Sequence, residues 1–220
     1  MNERQTGFAT VFVVDDDPAA RDSVAALVTS KGLAVESFES AEEFLASYDR
    51  SQGGCLIADL RMDGMDGLQL QQRLIEKRIR LPVILISAYA NVPTAVTAMN
   101  RGAVTFLEKP CGDHELWTNI RKAIRQDAQQ RSAQAVHSEV ARRLATLTDG
   151  EREVLECLRR GCMNKVIASE LDIGLRTVEL RRANIMKKME ADSLAQLLKT
   201  VMSNESPEED MWANDVAPSN

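Results

Sequence analysis

The sequence predicts an α/β domain built on a doubly wound, five-stranded parallel sheet, followed by a small all-α domain. In the first part of the chain, apolar strand-like runs alternate with helical patterns about every 25 residues, which is typical of a parallel sheet with helices on both faces. In the second part only helical patterns occur. The length of 220 residues also fits two domains better than one.

The predicted elements follow each other in a regular order. Five short runs rich in β-branched and apolar residues are the predicted strands: Thr10 to Val14, Leu33 to Phe38, Cys55 to Ala58, Pro82 to Ile86 and Ala103 to Leu107. A helical pattern follows each run, and the last of these helices opens at Asp113. The predicted domain organisation is an α/β domain over 8–125, a helical linker over 126–146, a helical domain over 147–202 and a disordered acidic tail over 203–220.

The linker has neither proline nor glycine between Leu116 and Ala145. This composition predicts one long helix, or two helices with a short break. Val136, Val140 and Leu144 fall on one stripe of such a helix. We therefore expect this stripe to pair across a dimer.

Composition excludes several classes of protein. Apolar residues make up 44% and charged residues 27% of the chain, which is ordinary for a globular protein. The apolar runs are strand-sized, whereas a membrane span needs roughly 20 residues, and no signal peptide precedes them. The four cysteines form no C-x-x-C pair, which argues against zinc and thioredoxin chemistry. We expect a cytoplasmic protein that makes no membrane contact.

Charge is unevenly distributed along the chain. Residues 1–127 carry 18 acids against 14 bases, a net charge of −4. The segment from Arg176 to Lys188 has five bases and one acid. This asymmetry predicts an acidic site in the first domain and an anion-binding helix in the second.

Charged and polar residues follow the predicted strands where each strand ends. Asp15 and Asp16 follow the first strand, Asp59 the third, Ser87 the fourth and Lys109 the fifth. Ligands of parallel sheets bind beyond these carboxyl ends. Carboxylates that converge there repel each other unless a divalent cation and a lysine compensate, and oxygen ligands in an open site favour Mg²⁺. The pattern predicts a phosphoryl-accepting site in which Asp59 attacks phosphorus while Mg²⁺, Lys109 and Ser87 stabilise the equatorial oxygens.

Two other functions compete with this interpretation. A magnesium-dependent phosphohydrolase would use the same aspartyl-phosphate chemistry, but such sites usually have Asp-x-Asp, and Asp59-Leu60-Arg61 lacks the second acid. A scaffold that never turns over phosphate is disfavoured because the site is complete. Asp17, directly before Pro18, is expected to cap a helix instead of serving the site.

The first domain resembles the flavodoxin-like receiver domain of two-component response regulators over about residues 8–125. The matching residues are Val13-Val14-Asp15-Asp16, Asp59-Leu60-Arg61-Met62, Met62-x-x-Met65-x-Gly67, Ser87-Ala88 and Lys109-Pro110. The resemblance implies that Asp59 is the phosphoacceptor. It also implies that Asp16, Asp59 and the Arg61 backbone carbonyl bind the metal directly, with Asp15 acting through water.

The resemblance also implies a switch and draws attention to two departures. Ser87 and Phe106 match the switch residues, and the Lys109-Pro110 bond is expected to be cis. Asp63 stands where the family usually has proline, which adds negative charge and is expected to loosen the loop. Cys111 replaces a usual phenylalanine and reduces local packing.

A basic helix marks the second domain. Two predicted helices, Asn164 to Leu171 and Arg176 to Met189, are joined by four residues, which is the spacing of a helix-turn-helix. The apolar arc of the second helix is expected to hold Val178, Ile185, Met186 and Met189, with Arg182 snorkelling from within it. The residues broadly opposite that arc are Arg176, Glu179, Leu180, Ala183 and Lys187. Five bases on one helix are also compatible with a merely solvated face.

The segment 147–202 resembles the LuxR-type helix-turn-helix of FixJ/NarL regulators. The resemblance rests on Leu147-Thr148-x-x-Glu151-Arg152-Glu153-Val154-Leu155, Gly161, Asn164-Lys165-x-Ile167-Ala168, Leu171-Asp172-Ile173, Arg176-Thr177-Val178-Glu179 and Arg182-Ala183-Asn184-x-Met186-x-Lys188-Met189. It implies that Glu179, Leu180 and Ala183 face bases and that Thr177 and Lys187 hold phosphates. Gly174-Leu175 stands where Ser-Pro is common, and the lost cap is expected to cost on the order of 1 kcal/mol.

Together the two resemblances imply a phosphorylation-dependent transcriptional regulator and not an enzyme. A sensor histidine kinase is expected to phosphorylate Asp59 and thereby control dimerisation and DNA binding. The implied partners are that kinase, double-stranded DNA, RNA polymerase and a second copy of the chain when phosphorylated. The implied cofactor is Mg²⁺.

Overall fold

The computed structural model describes residues 9–89 and 91–205. The chain divides into two compact units between Ser132 and Ala133. Among the described residues, no helix is long and apolar enough to cross a membrane.

The first unit is a five-stranded sheet in which every neighbouring pair of strands is parallel. Its strands are β1 (Ala9–Val14), β2 (Ala34–Phe38), β3 (Gly53–Asp59), β4 (Val83–Ser87) and β5 (Thr105–Glu108). Their order across the sheet is β2-β1-β3-β4-β5. The chain adds β2 on one side of β1 and then β3, β4 and β5 on the other side. This change of side makes the sheet doubly wound, which confirms the predicted fold class.

A helix follows each strand, so each connection is a strand–helix–strand crossover. The helices are α1 (Pro18–Ser30), α2 (Ala41–Ser47), α3 (Gly67–Glu76), α4 (Val92–Asn100) and α5 (Asp113–Ala145). The predicted cap at Asp17 is confirmed, because its carboxylate accepts a hydrogen bond from the Ala19 N–H at 2.9 Å and Pro18 begins α1.

Both faces of the sheet are buried. Successive side chains of a strand point to opposite faces, so Phe12, Leu56 and Leu85 join one apolar layer with α2 and α3 residues. Val11, Ile57 and Ile84 join the other layer with residues of α1 and α5. Burial on two sides explains why β1, β3 and β4 have continuous apolar sequences.

The second unit is entirely helical in its described part. It contains the end of α5, α6 (Asp149–Arg159), α7 (Asn164–Glu170), α8 (Leu175–Lys188) and α9 (Leu194–Glu205). Thr148 and Glu151 form the predicted capping box at the start of α6. The helix α9 includes residues 203–205, which the sequence placed in the disordered tail, and residues 206–220 lie outside the described part of the chain.

The linker forms one uninterrupted helix within α5, and two of the three residues of its apolar stripe are covered by the same chain. Val140 is buried in the core of the second unit, and Leu144 packs against that core. Val136 alone of the three is exposed. The dimer expectation is therefore wrong for Val140 and Leu144, because helices of the same unit bury them.

Candidate functional site

The ends of strands β1, β3 and β5 bring Asp15, Asp59 and Lys109 together. The Lys109 Nζ lies 2.5 Å from Asp59 Oδ1 and 2.7 Å from Asp15 Oδ2. Asp15 directly follows β1, Asp59 ends β3 and Lys109 directly follows β5. These three predicted residues therefore meet at the carboxyl edge of the sheet, where parallel sheets bind ligands.

Burial shapes the electrostatics of this pocket. Asp59 and Asp15 are only 7% and 5% exposed. Burial raises the pKa of Asp59, although the hydrogen bond and charge of Lys109 oppose this change. Burial lowers the pKa of Lys109, but the hydrogen bonds that its ammonium donates to Asp15 and Asp59 outweigh this effect, and the net change in the pKa is upward. The ammonium is thus held in its charged form between two carboxylates.

Ser87 lies at the end of β4, next to the strand that carries Asp59. Its side chain is fully buried, and its Oγ accepts a hydrogen bond from the Tyr89 N–H at 3.1 Å. Its backbone carbonyl accepts from the Lys109 N–H at 2.8 Å. A hydroxyl can accept and donate at once, so this hydrogen bond does not use the Ser87 proton.

The loop after β3 is held by side chains from two other segments. Asp16 Oδ2 accepts from the Asp63 N–H at 3.0 Å, and Glu42 Oε1 accepts from the Met65 N–H at 3.1 Å. Asp59 Oδ2 accepts from the Arg61 N–H at 2.6 Å. Proline has no N–H, so Asp63 makes a hydrogen bond to Asp16 that the usual residue could not make. The loosening of the loop at position 63 stays a prediction.

The donor set suits a hard cation, although it is not gathered around one point. Carboxylate and carbonyl oxygens are the ligands that Mg²⁺ prefers, and Asp15, Asp16 and Asp59 supply them beside the Arg61 carbonyl. Within residues 9–89 and 91–205, no three His, Cys, Asp or Glu side chains are grouped to hold a metal. Asp15 and Asp59 instead share the Lys109 ammonium. Receiver domains of this kind generally bind Mg²⁺ at this position.

Three contacts of the pocket were missed at the level of sequence. The Arg61 guanidinium lies 4.9 Å from the centre of the Tyr89 ring, a cation–π distance. The Arg21 Nη1 donates to the Asp15 carbonyl at 2.6 Å, and Glu42 reaches the loop as described. These residues come from α1, α2 and two loops, and no sequence pattern relates them.

The remaining receiver expectations concern Phe106 and the Lys109-Pro110 bond. Phe106 is half-buried on β5 and packs against the apolar layer that contains Phe12 and Leu85. The Lys109-Pro110 peptide bond is cis, as expected.

Helices α7 and α8 form the candidate nucleic-acid interface. Val178, Ile185 and Met189 are buried in the core of the second unit, and Met186 packs against it. The six predicted contact residues are all exposed: Arg176, Thr177, Glu179, Leu180, Ala183 and Lys187. Five of them, all but Thr177, lie within about 100° on a helix with 3.6 residues per turn, so they share one face.

The five bases of α8 separate into two groups. Arg182 donates to the Asn164 side chain, Arg181 donates to the Gly150 carbonyl at 3.2 Å, and Lys188 pairs with Glu151 at 2.6 Å. These three bases hold α8 against α6 and α7. Arg176 and Lys187 form no ion pair with any residue the structure describes, and they remain available to an anion.

The start of α8 has no side-chain cap. Gly174 is the N-cap residue, and no side chain accepts a hydrogen bond there. This confirms that the side-chain cap is lost, but the expected loss in the free energy of unfolding, on the order of 1 kcal/mol, is too high. Replacing a serine cap by glycine costs only a few tenths of a kcal/mol, whereas about 1 kcal/mol applies to replacement by alanine.

Comparisons with known proteins agree with both parts of this geometry. The family model of the response regulator receiver domain matches residues 11–121, and that of the bacterial regulatory proteins of the luxR family matches residues 145–201. The transcriptional regulatory protein FixJ of Bradyrhizobium diazoefficiens is 42% identical over 192 residues, covering 87% of this chain and 94% of its own. The response regulator protein TodT of Pseudomonas putida is 41% identical over 191 residues, covering 87% and 84%.

Solved structures give the same result. The response regulator StyR has a TM-score of 0.83 at 39% identity, with 89% of this chain and 99% of that chain covered. Full-length FixJ from B. japonicum has a TM-score of 0.54 at 41% identity, with 89% and 97% covered.

A parallel sheet with a lysine between two strand-end carboxylates, joined to a helix-turn-helix, defines the class of DNA-binding response regulators. The chain belongs to the two-component response regulators with a receiver domain and a LuxR-type DNA-binding domain. It is a transcriptional regulator, and this family is generally not enzymatic. Response regulators of this family act with a sensor kinase and DNA.

Proposed function

We propose that Asp59 accepts a phosphoryl group from a sensor histidine kinase and that this controls dimerisation and DNA binding. The observation that supports this most directly is the Lys109 ammonium at 2.5 Å from Asp59 Oδ1. A carboxylate oxygen attacks phosphorus, and the bond between phosphorus and the donor's imidazole nitrogen breaks. The phosphoryl group then stands on Asp59 as an acyl phosphate.

The neighbouring residues have distinct roles in this step. Asp16, Asp59 and the Arg61 carbonyl would hold Mg²⁺ directly, and Asp15 would act through water. The bound ion supplies positive charge beside the transferred oxygens. Lys109 gives up part of its contact with Asp59 and neutralises a phosphoryl oxygen, while the Ser87 hydroxyl donates to another.

The signal leaves the pocket through Ser87 and Phe106. Movement of both residues changes the surface formed by α4 and β5, and this surface joins two phosphorylated chains in a homodimer. An exposed apolar stripe on α4 supports this assignment, since Val92, Val96 and Met99 are 76%, 50% and 46% exposed. Apolar residues at this helical spacing form one continuous contact face.

The dimer then presents two copies of α8 to double-stranded DNA and brings RNA polymerase to the promoter. Thr177 and Lys187 hold the phosphates, Arg176 contacts the DNA at the start of α8, and Glu179 accepts from a cytosine amino group. Leu180 and Ala183 pack on thymine methyl groups. This role places the protein in the cytoplasm, and it does not act as an enzyme on free phosphate esters.

Labelling with an acyl-phosphate donor tests the proposal. The wild-type chain incubated with labelled acetyl phosphate and Mg²⁺ should acquire one label, and a chelator should block it. Asp59→Asn should abolish the label, whereas Asp63→Asn, an exposed acid on the same loop, should keep it. Stoichiometric labelling of the Asp59→Asn chain would sink the assignment.

A further inference from the structure

A second charged cluster lies at the opposite end of strand β3 from Asp59. Asp127, on α5, is 5% exposed, and its Oδ2 accepts a hydrogen bond from the Gly54 N–H at 2.8 Å. The Arg131 Nε donates to the same carboxylate at 2.9 Å. Both residues lie beyond the receiver family model, which ends at residue 121.

Arg131 also closes the loop that leads into β3. Its guanidinium donates to the Ser51 carbonyl at 3.1 Å and to the carbonyl of Gln52. The Tyr48 hydroxyl donates to the same Gln52 carbonyl at 3.2 Å. One arginine thus links the helix to several backbone acceptors of the α2–β3 loop, which matches the fixed fork of its donors.

Close packing allows this contact to form. A Cβ at Gly53 would lie 2.8 Å from Asp127 Oδ2 and 3.0 Å from Arg131 Nε. A residue with a Cβ at this position would therefore displace the side chains of Asp127 and Arg131. Burial raises the pKa of Asp127, while the Gly54 hydrogen bond and Arg131 oppose that change. Because burial disfavours the charged carboxylate, Asp127 depends on the Gly54 N–H and on Arg131 for compensation.

We propose that Asp127 and Arg131 are positioning residues that fasten the first part of the interdomain helix to the amino-terminal edge of the receiver sheet. This anchor, defined as Asp127, Arg131, Gly54 and the carbonyls of 50–52, makes α5 a rigid part of the receiver as far as Ser132. The receiver therefore controls the helix directly up to that residue. The second half of the proposal, that this control is needed for regulated DNA binding, rests on the proposed function.

Two variants of full-length protein test the anchor, with a matched control. Arg131→Met removes the guanidinium of the anchor, and Gly53→Ala displaces the anchor side chains. Arg142→Met removes an exposed pair with Glu139 on the same helix and leaves the anchor intact. Hydrogen exchange should become at least tenfold faster at residues 50–54 and 127–132 in the first two variants and stay unchanged in the control. Unchanged exchange in both anchor variants would overturn the proposal.

A second measurement separates positioning from plain stability. The probe is a duplex selected from random sequence by the wild-type chain treated with acetyl phosphate and Mg²⁺. At a temperature where all variants are folded, the ratio of affinities with and without acetyl phosphate should fall toward one in the anchor variants, with labelling of Asp59 unchanged. If the anchor variants exchange hydrogen faster but keep the affinity ratio of the wild type, the anchor is purely structural and its positioning role is overturned. If the wild-type chain itself has an affinity ratio of one, phosphorylation does not control DNA binding, and the second half of this proposal is refuted. The hydrogen-exchange result still decides whether the anchor exists.

Discussion

The pocket at the carboxyl edge of the sheet and helix α8 use charge in opposite ways. In the pocket, Asp15 and Asp59 are buried, and the partly exposed Lys109 pairs with both of them. On α8, Arg176 and Lys187 are exposed and form no ion pair among the described residues. A buried charge must be compensated within the chain, whereas a charge that awaits a polyanion must stay free. The pocket is thus electrostatically compensated within the chain, whereas the exposed face of α8 is not.

The largest expected effect comes from removing the pocket's compensating charge. Lys109→Met leaves two buried carboxylates facing each other, so the free energy of unfolding should fall by about 1–3 kcal/mol, less than for a fully buried pair because Lys109 is partly exposed. Saturating Mg²⁺ should restore much of this loss, since a divalent cation can replace the ammonium. Urea denaturation with and without Mg²⁺ measures both effects.

Lys122→Met is the matched control, because Lys122 is an exposed lysine on α5. It should unfold like the wild type at every Mg²⁺ concentration. Equal stability of the Lys109→Met and Lys122→Met chains would show that the pocket does not depend on its ammonium.

On the recognition helix, readout and affinity should separate. Glu179→Ala should keep or raise affinity for random DNA, because phosphates repel a carboxylate, but it should lose roughly 1–3 kcal/mol of preference at one base pair. Lys187→Ala should weaken binding to all sequences alike and lower the salt slope by about one unit. Salt titrations on the selected duplex and on a scrambled duplex distinguish these outcomes.

An unchanged preference in the Glu179→Ala chain would move base reading to Arg176. Arg181, another arginine of α8, is already bonded to the Gly150 carbonyl. Base reading by α8 would then depend on Arg176 at the start of the helix.

A smaller effect is expected at Asp63, where backbone and side chain can be tested apart. Asp63→Pro removes the N–H that holds Asp16 and should weaken Mg²⁺ binding by roughly 10-fold, the low end of the range for loss of a group that orients a ligand. Asp63→Ala keeps the N–H and should change the affinity less than twofold, on the order of a surface charge effect. Calorimetric titration of Mg²⁺ measures both, and equal affinities in the two variants would contradict a role for the N–H.

The smallest expected effect is at the start of α8. Gly174→Ser introduces a side-chain acceptor for the Thr177 N–H, and the nearest atom to a Cβ there is Thr177 Oγ1 at 3.8 Å, so space is available. The free energy of unfolding should rise by a few tenths of a kcal/mol. Thermal unfolding of the two chains measures the gain, and a loss of stability would mean that the helix start is not limited by its cap.

The sequence by itself determined the order of the elements, the doubly wound sheet and the residues of the pocket. The physical reason is topological: in a parallel sheet all carboxyl ends meet at one edge, so residues that follow separate strands are brought together wherever the strands lie. The helix-turn-helix was equally readable, because the spacing of Val178, Ile185 and Met189 fixes the buried face of α8.

The tertiary structure decided which partners the linker helix has. Its sequence shows a stripe that ends in Val140 and Leu144, but not whether a second chain or the same chain buries it. The contact of Asp127 with Gly54 joins residues 73 positions apart, and Asp63 meets Asp16 across 47 positions. Such pairs have no local pattern, because their geometry depends on how closely separate segments pack once the whole sheet has formed.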